Sequence, residues 1–214
     1  MNTKDLRNIH ALVTGASSGL GFSMAEALLQ AGATVALASR VGTKLDQAVE
    51  KLKREGYPAV GIPLDVRSEQ SVNNAVEWVK REWGKLDVLV NNAGIGMRTV
   101  NPRFLVEPQP FFKVTPEGFR DLIDTNLTGY FLVARGFAPL MMEQGHGRII
   151  NISMNHETMK RKGFVPYGPS RAATESLSYI MAEPIVFLAS AAAEGITGER
   201  IVAIDFQDWL LKRK

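Results

Sequence analysis

The sequence predicts an α/β protein built on a parallel sheet. Short apolar, β-branched runs alternate with helix-like segments from residue 9 onward, the rhythm of βαβ units. The run Val88-Leu89-Val90 shows no polar alternation, as expected of a strand buried on both faces. A glycine-rich bend, Thr14 to Gly21, joins the first apolar run to the first helix. The 214 residues are 45% hydrophobic and 22% charged, enough for a sizeable core, and no Pro/Ser-rich linker or internal repeat divides them. Residues 1–214 are therefore expected to form a single domain.

The first strand is expected over Ile9 to Val13. The helix after it, from near Leu20 to about Ala31, spaces Leu20, Met24, Ala27, Leu28 and Ala31 by three and four, an apolar stripe for the core, with Gly32 as its stop. Thr34 to Ala38 reads as the second strand and Thr43 to about Glu55 as the next helix. Ala59 to Ile62 follows as a strand, then a helix from about Glu69 to Trp83 carrying Val72, Val76 and Val79, then the strand Val88 to Val90. Ile95 to Thr115 is a long loop containing Pro102, Pro108, Pro110, Phe104, Phe111 and Phe112. Loops of this length are more often functional or mobile than neutral, so these aromatics either rim a pocket or pin the loop to the surface. From Pro116, suited to a first helical turn, a long helix runs toward Met142 with Asn126 well inside it. Arg148 to Ile152 is the next strand, entered through Gly145-His146-Gly147 and ending at Ser153.

A net charge of +3 does not call for nucleic acid, and the basic runs Lys160-Arg161-Lys162 and Lys212-Arg213-Lys214 read as a solvated loop and tail. The absence of cysteine excludes disulfides and thiolate metal sites and suits a reducing compartment. Met1 to Asn8 is polar rather than a secretory signal, and no apolar stretch approaches membrane-spanning length, so a soluble, cytoplasmic protein is expected. His10, His146 and His156 lack ligand spacing, and no metal site is expected.

A strand, a glycine-rich bend and a helix allow backbone to approach a pyrophosphate, with the unpaired N–H groups of the first helical turn facing its charge. Gly15, Ser17, Ser18, Gly19, Leu20 and Gly21 would line that approach; alternatively the stretch is only a tight turn. Asn91-Asn92-Ala93-Gly94 ends the fourth strand at the carboxyl edge, where ligands bind in open α/β sheets. Together with Tyr167-x-x-x-Arg171 behind the strand that ends in Ser153, these motifs resemble the short-chain dehydrogenase/reductase family. The resemblance covers Ile9 to about Met181 and resumes from Pro184 to Asp205. It implies a doubly wound, Rossmann-type parallel sheet and hydride transfer between a nicotinamide cofactor and a small carbonyl or alcohol substrate.

Carried onto this chain, the family pattern makes Tyr167 the acid/base. A phenol, with a reference pKa near ~10, serves that role at neutral pH when a nearby cation favours the phenolate. The family's lysine is Arg171 here, which keeps the charge but replaces a compact ammonium with a planar fork. Asn126 matches the residue that helps bind a relay water. The usual serine position holds Met154, which leaves Ser153, or Asn155 through a bulge, as candidates to bind the substrate oxygen; a buried strand-end serine is the alternative. Asn92, Ala93, Gly94, Tyr167 and Arg171 complete the cofactor contacts. Ser39-Arg40 closes the second strand without an acidic residue, which resembles the NADP-preferring pattern because guanidinium pairs with a 2′-phosphate; NADP(H) is expected over NAD(H). Asp65-Val66 matches the adenine-contacting pair, and Asp65 is also placed to cap the following helix.

After Met181 the family would complete its helix and add a further strand and a substrate-covering segment. This chain passes instead to Ala182-Glu183-Pro184, a closing helix at Ile185 to Ala189 and a stretch resembling the last strand, Ile196 to Asp205. The single sheet is therefore expected to lack one C-terminal strand. The resemblance also implies a homodimer or homotetramer, and Leu127, Phe131 and Ala134, with Leu132 and Val133, offer more apolar surface than one buried face needs. A protein that binds the nucleotide as a structural or sensing ligand, without catalysis, is the rival reading.

Overall fold

A computed structural model of the chain describes residues 6–188. Five strands, β1 (His10–Thr14), β2 (Thr34–Ser39), β3 (Ala59–Pro63), β4 (Val88–Asn91) and β5 (Arg148–Asn151), form one sheet in the order β3-β2-β1-β4-β5. Every neighbouring pair is parallel. The order reverses between β1 and β4, which opens a crevice at their carboxyl ends.

Alternate strand residues face opposite layers because side chains switch faces at every step. Ala11, Val13, Val35, Leu37 and Val90 pack against α1 (Gly19–Gln30) and α2 (Thr43–Arg54) through Ala25, Leu29, Leu45, Val49 and Leu52. Leu12, Ala36, Ala38 and Leu89 pack against α3 (Glu69–Glu82) and α5 (Gly129–Glu143) through Val72, Val79, Val133, Phe137 and Met141. The sheet is thus wound on both sides, as expected. Within α1, however, the buried face is Gly21, Ala25 and Leu29, whereas Leu20 is 74% exposed. Nearly every position of that helix is apolar or small, so its spacing does not fix its phase.

The long helix expected from Pro116 is not continuous. It consists of α4 (Pro116–Ile123), a π-helical turn (Asp124–Thr128) and α5. Thr115 caps α4, accepting from the Gly118 N–H at 3.1 Å. The π turn carries Asn126, which is fully buried rather than a solvated helix residue. The 95–115 segment contains two short 3₁₀ turns, Met97–Thr99 and Phe111–Lys113. Phe104 packs edge-on against Phe164 at 5.4 Å, while Phe111 and Phe112 stay more than 70% exposed, so only part of the loop is pinned. After β5 come α6 (His156–Met159) and α7 (Tyr167–Leu188). α7 takes in the expected closing helix from Ile185 without a break at Ala182-Glu183-Pro184. The expected strand Ile196 to Asp205 lies outside the described residues.

At the opposite, amino edge, Asp87 gathers two of the three histidines. The His10 N–H donates to it at 2.7 Å, His146 Nε2 lies 2.8 Å away and Lys85 Nζ 3.0 Å. Burial alone would raise this carboxyl, but these donors more than offset it and hold it below the ordinary carboxylate value.

Candidate active site

Two turns meet at the crevice, and Thr14 joins them. Its Oγ1 accepts the N–H groups of Asn92 (3.0 Å) and Ala93 (2.9 Å), while Asn92 Nδ2 donates to the Thr14 carbonyl at 2.9 Å. Gly15 has φ +67°, and a Cβ there would lie 2.8 Å from Ala93 Cα. A Cβ at Gly21 would lie 2.5 Å from Asn92 Nδ2 and nearer still to the Gly15 carbonyl oxygen. Among the described residues Ser18, the N-cap of α1, makes no side-chain cap bond, and nothing stands within 4 Å of a Cβ placed on Gly19. The amides of the first helical turn are therefore not engaged by a Ser18 side-chain cap, an arrangement that can take a pyrophosphate.

Along the edge from this turn, Ser17 Oγ lies 3.0 Å from Ser39 Oγ, and Arg40 beside it is exposed. Asp65 is gripped by Arg67, whose Nε and Nη2 donate to its two oxygens at 3.1 and 2.9 Å. Arg67 accounts for most of the lowering of that carboxyl, with a smaller contribution from Arg40. Asp65 does not cap the following helix; Ser68 does, accepting from the Ser71 N–H at 3.2 Å. Val66 is buried against the bare Gly129 backbone.

Arg171 is 5% exposed, and its guanidinium is fixed from several sides. Nη1 donates to Tyr130 Oη at 2.8 Å and to the Ile152 carbonyl at 2.9 Å, and the guanidinium carbon sits 5.2 Å from the Tyr167 ring centre. Among the described residues its Nε is buried without a partner. Burial pushes the guanidinium down, but the charges and hydrogen bonds of Tyr130 and Tyr167 raise it overall, so it stays a fixed cation. Burial correspondingly pushes the Tyr130 phenol up. A Cβ at Gly94 would lie 2.6 Å from Arg171 Nη2 and 3.1 Å from Asn126 Oδ1, so a larger residue there would have to displace the guanidinium.

Asn126 clamps the start of the long loop. Oδ1 accepts the Ile95 N–H at 2.8 Å and Nδ2 donates to the Ile95 carbonyl at 2.9 Å, while its own carbonyl accepts from Thr174 Oγ1 at 3.1 Å. Ser153 turns away from this group and donates to Glu175 Oε1 at 2.8 Å; His156 Nε2 lies 3.2 Å from Oε2. Asn155 is likewise committed, capping α6 by accepting from the Thr158 N–H at 2.8 Å. Met154 joins an apolar cluster with Met97, Leu122, Phe104, Phe164 and Tyr167. The structure therefore brings Tyr167, Arg171, Asn126 and Gly94 together and leaves Ser153 paired elsewhere. Tyr130, Thr174 and Glu175 were not singled out from sequence. Glu175 stands four residues beyond Arg171 and eight beyond Tyr167, a helical spacing that was available to read.

The family model for short chain dehydrogenases matches residues 9–186. The chain belongs to this family. Its members are oxidoreductases that bind NAD(P)(H). The chain is 33% identical over 216 residues to gluconate 5-dehydrogenase of Gluconobacter oxydans (strain 621H), covering 97% of this chain and 80% of that one. It is 34% identical over 167 residues to 5-keto-D-gluconate 5-reductase of Escherichia coli (strain K12), covering 78% of this chain and 62% of that one. It thus spans less than two thirds of the latter relative's length. Among solved structures it matches a short-chain type dehydrogenase/reductase from Mycobacterium marinum (TM-score 0.76, 32% identity, 86% of this chain and 71% of that chain). It also matches an actinorhodin polyketide ketoreductase variant with NADPH (TM-score 0.75, 30% identity, 84% of this chain and 66% of that chain). Among the described residues no helix is long and apolar enough to cross a membrane.

Proposed function

We propose that the chain is an NADP(H)-dependent oxidoreductase that interconverts a carbonyl and an alcohol, with Tyr167 as the acid/base. The observation that carries this reading is the buried Arg171 cation held 5.2 Å from the Tyr167 ring, beside the bare backbone of Gly94. A fixed positive charge in a dry setting stabilises negative charge developing on a phenol oxygen without reorganising. A nicotinamide held beside Gly94 and Arg171 would supply or take the hydride. Tyr167 exchanges the proton with the substrate oxygen, Arg171 supplies the field, and Asn126 holds the loop at Ile95 that borders the pocket. Arg40, directly after β2, whose end carries no Asp or Glu, supports NADP(H) over NAD(H).

The apolar cluster of Met97, Met154, Phe104 and Phe164 packed beside Tyr167 supports a substrate with an apolar flank beside its carbonyl. Assembly as a homo-oligomer through α5 and α7 is supported by their exposed Phe131, Met142, Tyr179 and Ile180. The test is Tyr167→Phe, for which turnover is lost while NADPH binding stays within about twofold of wild type. Equal turnover in that variant would remove Tyr167 from the role.

One observation favours nucleotide binding without catalysis: with Ser153 paired to Glu175 and Met154 apolar, neither strand-end residue offers a free hydroxyl to the substrate oxygen. Arg171→Lys separates the two readings. A large gain in turnover supports an enzyme slowed by its arginine, and no turnover in either protein supports a binder.

A further inference from the structure

Tyr130 carries a polar group that the proposed reaction does not use. It lies on α5, is 1% exposed and is among the largest fully buried side chains of the described residues. Packing alone would be served by phenylalanine, yet the hydroxyl sits in a closed triangle. Arg171 Nη1 has two hydrogens; one goes to Tyr130 Oη at 2.8 Å and the other to the Ile152 carbonyl at 2.9 Å. The Tyr130 hydroxyl hydrogen goes to that same carbonyl at 3.2 Å. Each hydrogen of the triangle is used, and β5's end, α5 and α7 are tied together through one guanidinium nitrogen.

A compact ammonium at 171 would not need this arrangement, because its three donors rotate freely, whereas a planar guanidinium is aimed only when its fork is fixed. We propose that Tyr130 is a positioning residue that aims Arg171 at Tyr167, the partner that makes arginine workable at this site. The hydroxyl works only through Arg171: it holds Nη1, and the guanidinium carbon then sits 5.2 Å from the Tyr167 ring centre with Nη2 beside Gly94. Tyr130 and Arg171 then form a matched pair. The effect of changing one depends on which residue occupies the other position.

The catalytic part of this inference rests on the proposed function; the geometric part does not, and the test keeps them apart. The first measurement is on the wild-type apo protein by nitrogen-15 NMR of the arginine side chains. The triangle predicts that the Arg171 Nη hydrogens exchange slowly and that Tyr130→Phe removes this protection; rapid exchange in wild type overturns the proposal whether or not the variant folds. The second is a double-mutant cycle with Arg171→Lys. Tyr130→Phe should lower kcat about tenfold in the arginine background, leave NADPH affinity within about twofold, and change kcat less than about twofold in the lysine background. Equal losses in both backgrounds, or a loss confined to thermal stability, would reduce Tyr130 to a packing residue and overturn the proposal. Slow exchange without turnover in any variant would leave the pair standing and remove the enzyme reading.

Discussion

Gly21→Ala inverts the usual rule for helices. Gly21 is the third residue of α1, and alanine in a helix is normally favoured over glycine by about 1 kcal/mol. Here the added methyl would lie 2.5 Å from Asn92 Nδ2 and 2.9 Å from the Gly15 carbonyl carbon. Neither neighbour is free to retreat. The Gly15 N–H donates to the Ala38 carbonyl at 2.7 Å from a positive-φ backbone, and Asn92 is bound to the Thr14 carbonyl. Overpacking of this kind costs about 1–3 kcal/mol, and contact with backbone belongs at the upper end, so the net loss is about 1–2 kcal/mol after the helix preference is subtracted. For a chain of this size that is a fall in Tm of about 2–8 °C. The larger effect falls on the ligand. Shifting the turn misplaces the first-turn amides, and losing one charge-assisted hydrogen bond, about 1.5–3 kcal/mol, weakens NADPH binding at least tenfold. Differential scanning fluorimetry with and without NADPH reads both quantities. Gly84→Ala serves as the control: its φ is +67° in open surroundings, so alanine there costs about 1–2 kcal/mol of backbone strain and leaves the NADPH-induced shift unchanged. Gly21→Ala with wild-type Tm and a full NADPH shift would refute this reasoning.

Three further outcomes are expected. Ser153→Ala should cost about 1–2 kcal/mol in a urea titration, because Glu175 loses a donor, and lower kcat less than about tenfold; a hundredfold loss would return Ser153 to the chemistry. Stability should fall as pH drops through the acid range. Asp87 titrates lower in the folded chain than unfolded, so its contribution is complete above the unfolded carboxylate value, about 4, and is lost as pH falls through the folded one; Asp87→Asn should flatten that limb of the urea midpoint against pH. His10, lowered by burial and then by Lys85, acts in the same direction below about pH 6.5, since the unfolded chain takes up its proton first. Arg40→Asp should exchange cofactor preference, weakening NADPH about tenfold to a hundredfold by fluorescence titration while NADH is unchanged or tighter.

The sheet was legible because its signals are local. Val88-Leu89-Val90, the βαβ alternation and the glycines of the first turn all follow from neighbours in sequence. The phase of α1 was not, because its run of alanine, leucine and methionine offers apolar residues on more than one face. The π turn at Asp124–Thr128 has no residue that demands it; it accompanies the pairing of Asn126 with Ile95, 31 residues earlier. Ser153 turns toward Glu175, 22 residues later, and Asp87 collects His10 and His146 from 77 and 59 residues away. These are choices made by tertiary packing among locally equivalent options. The departure at Arg171 was visible in sequence, but its accommodation by Tyr130 and the Ile152 carbonyl needed the fold to bring three elements together.

Side-by-side titration of the purified chain with NADPH and NADH, read by thermal shift and fluorescence, tests the central claim most directly. At 100 times its dissociation constant, NADPH should stabilise the fold by about 2.7 kcal/mol, with NADH giving less at the same concentration. Absence of a shift with either nucleotide would contradict the account, leaving the turn at Thr14 to Gly21 a feature of the fold alone.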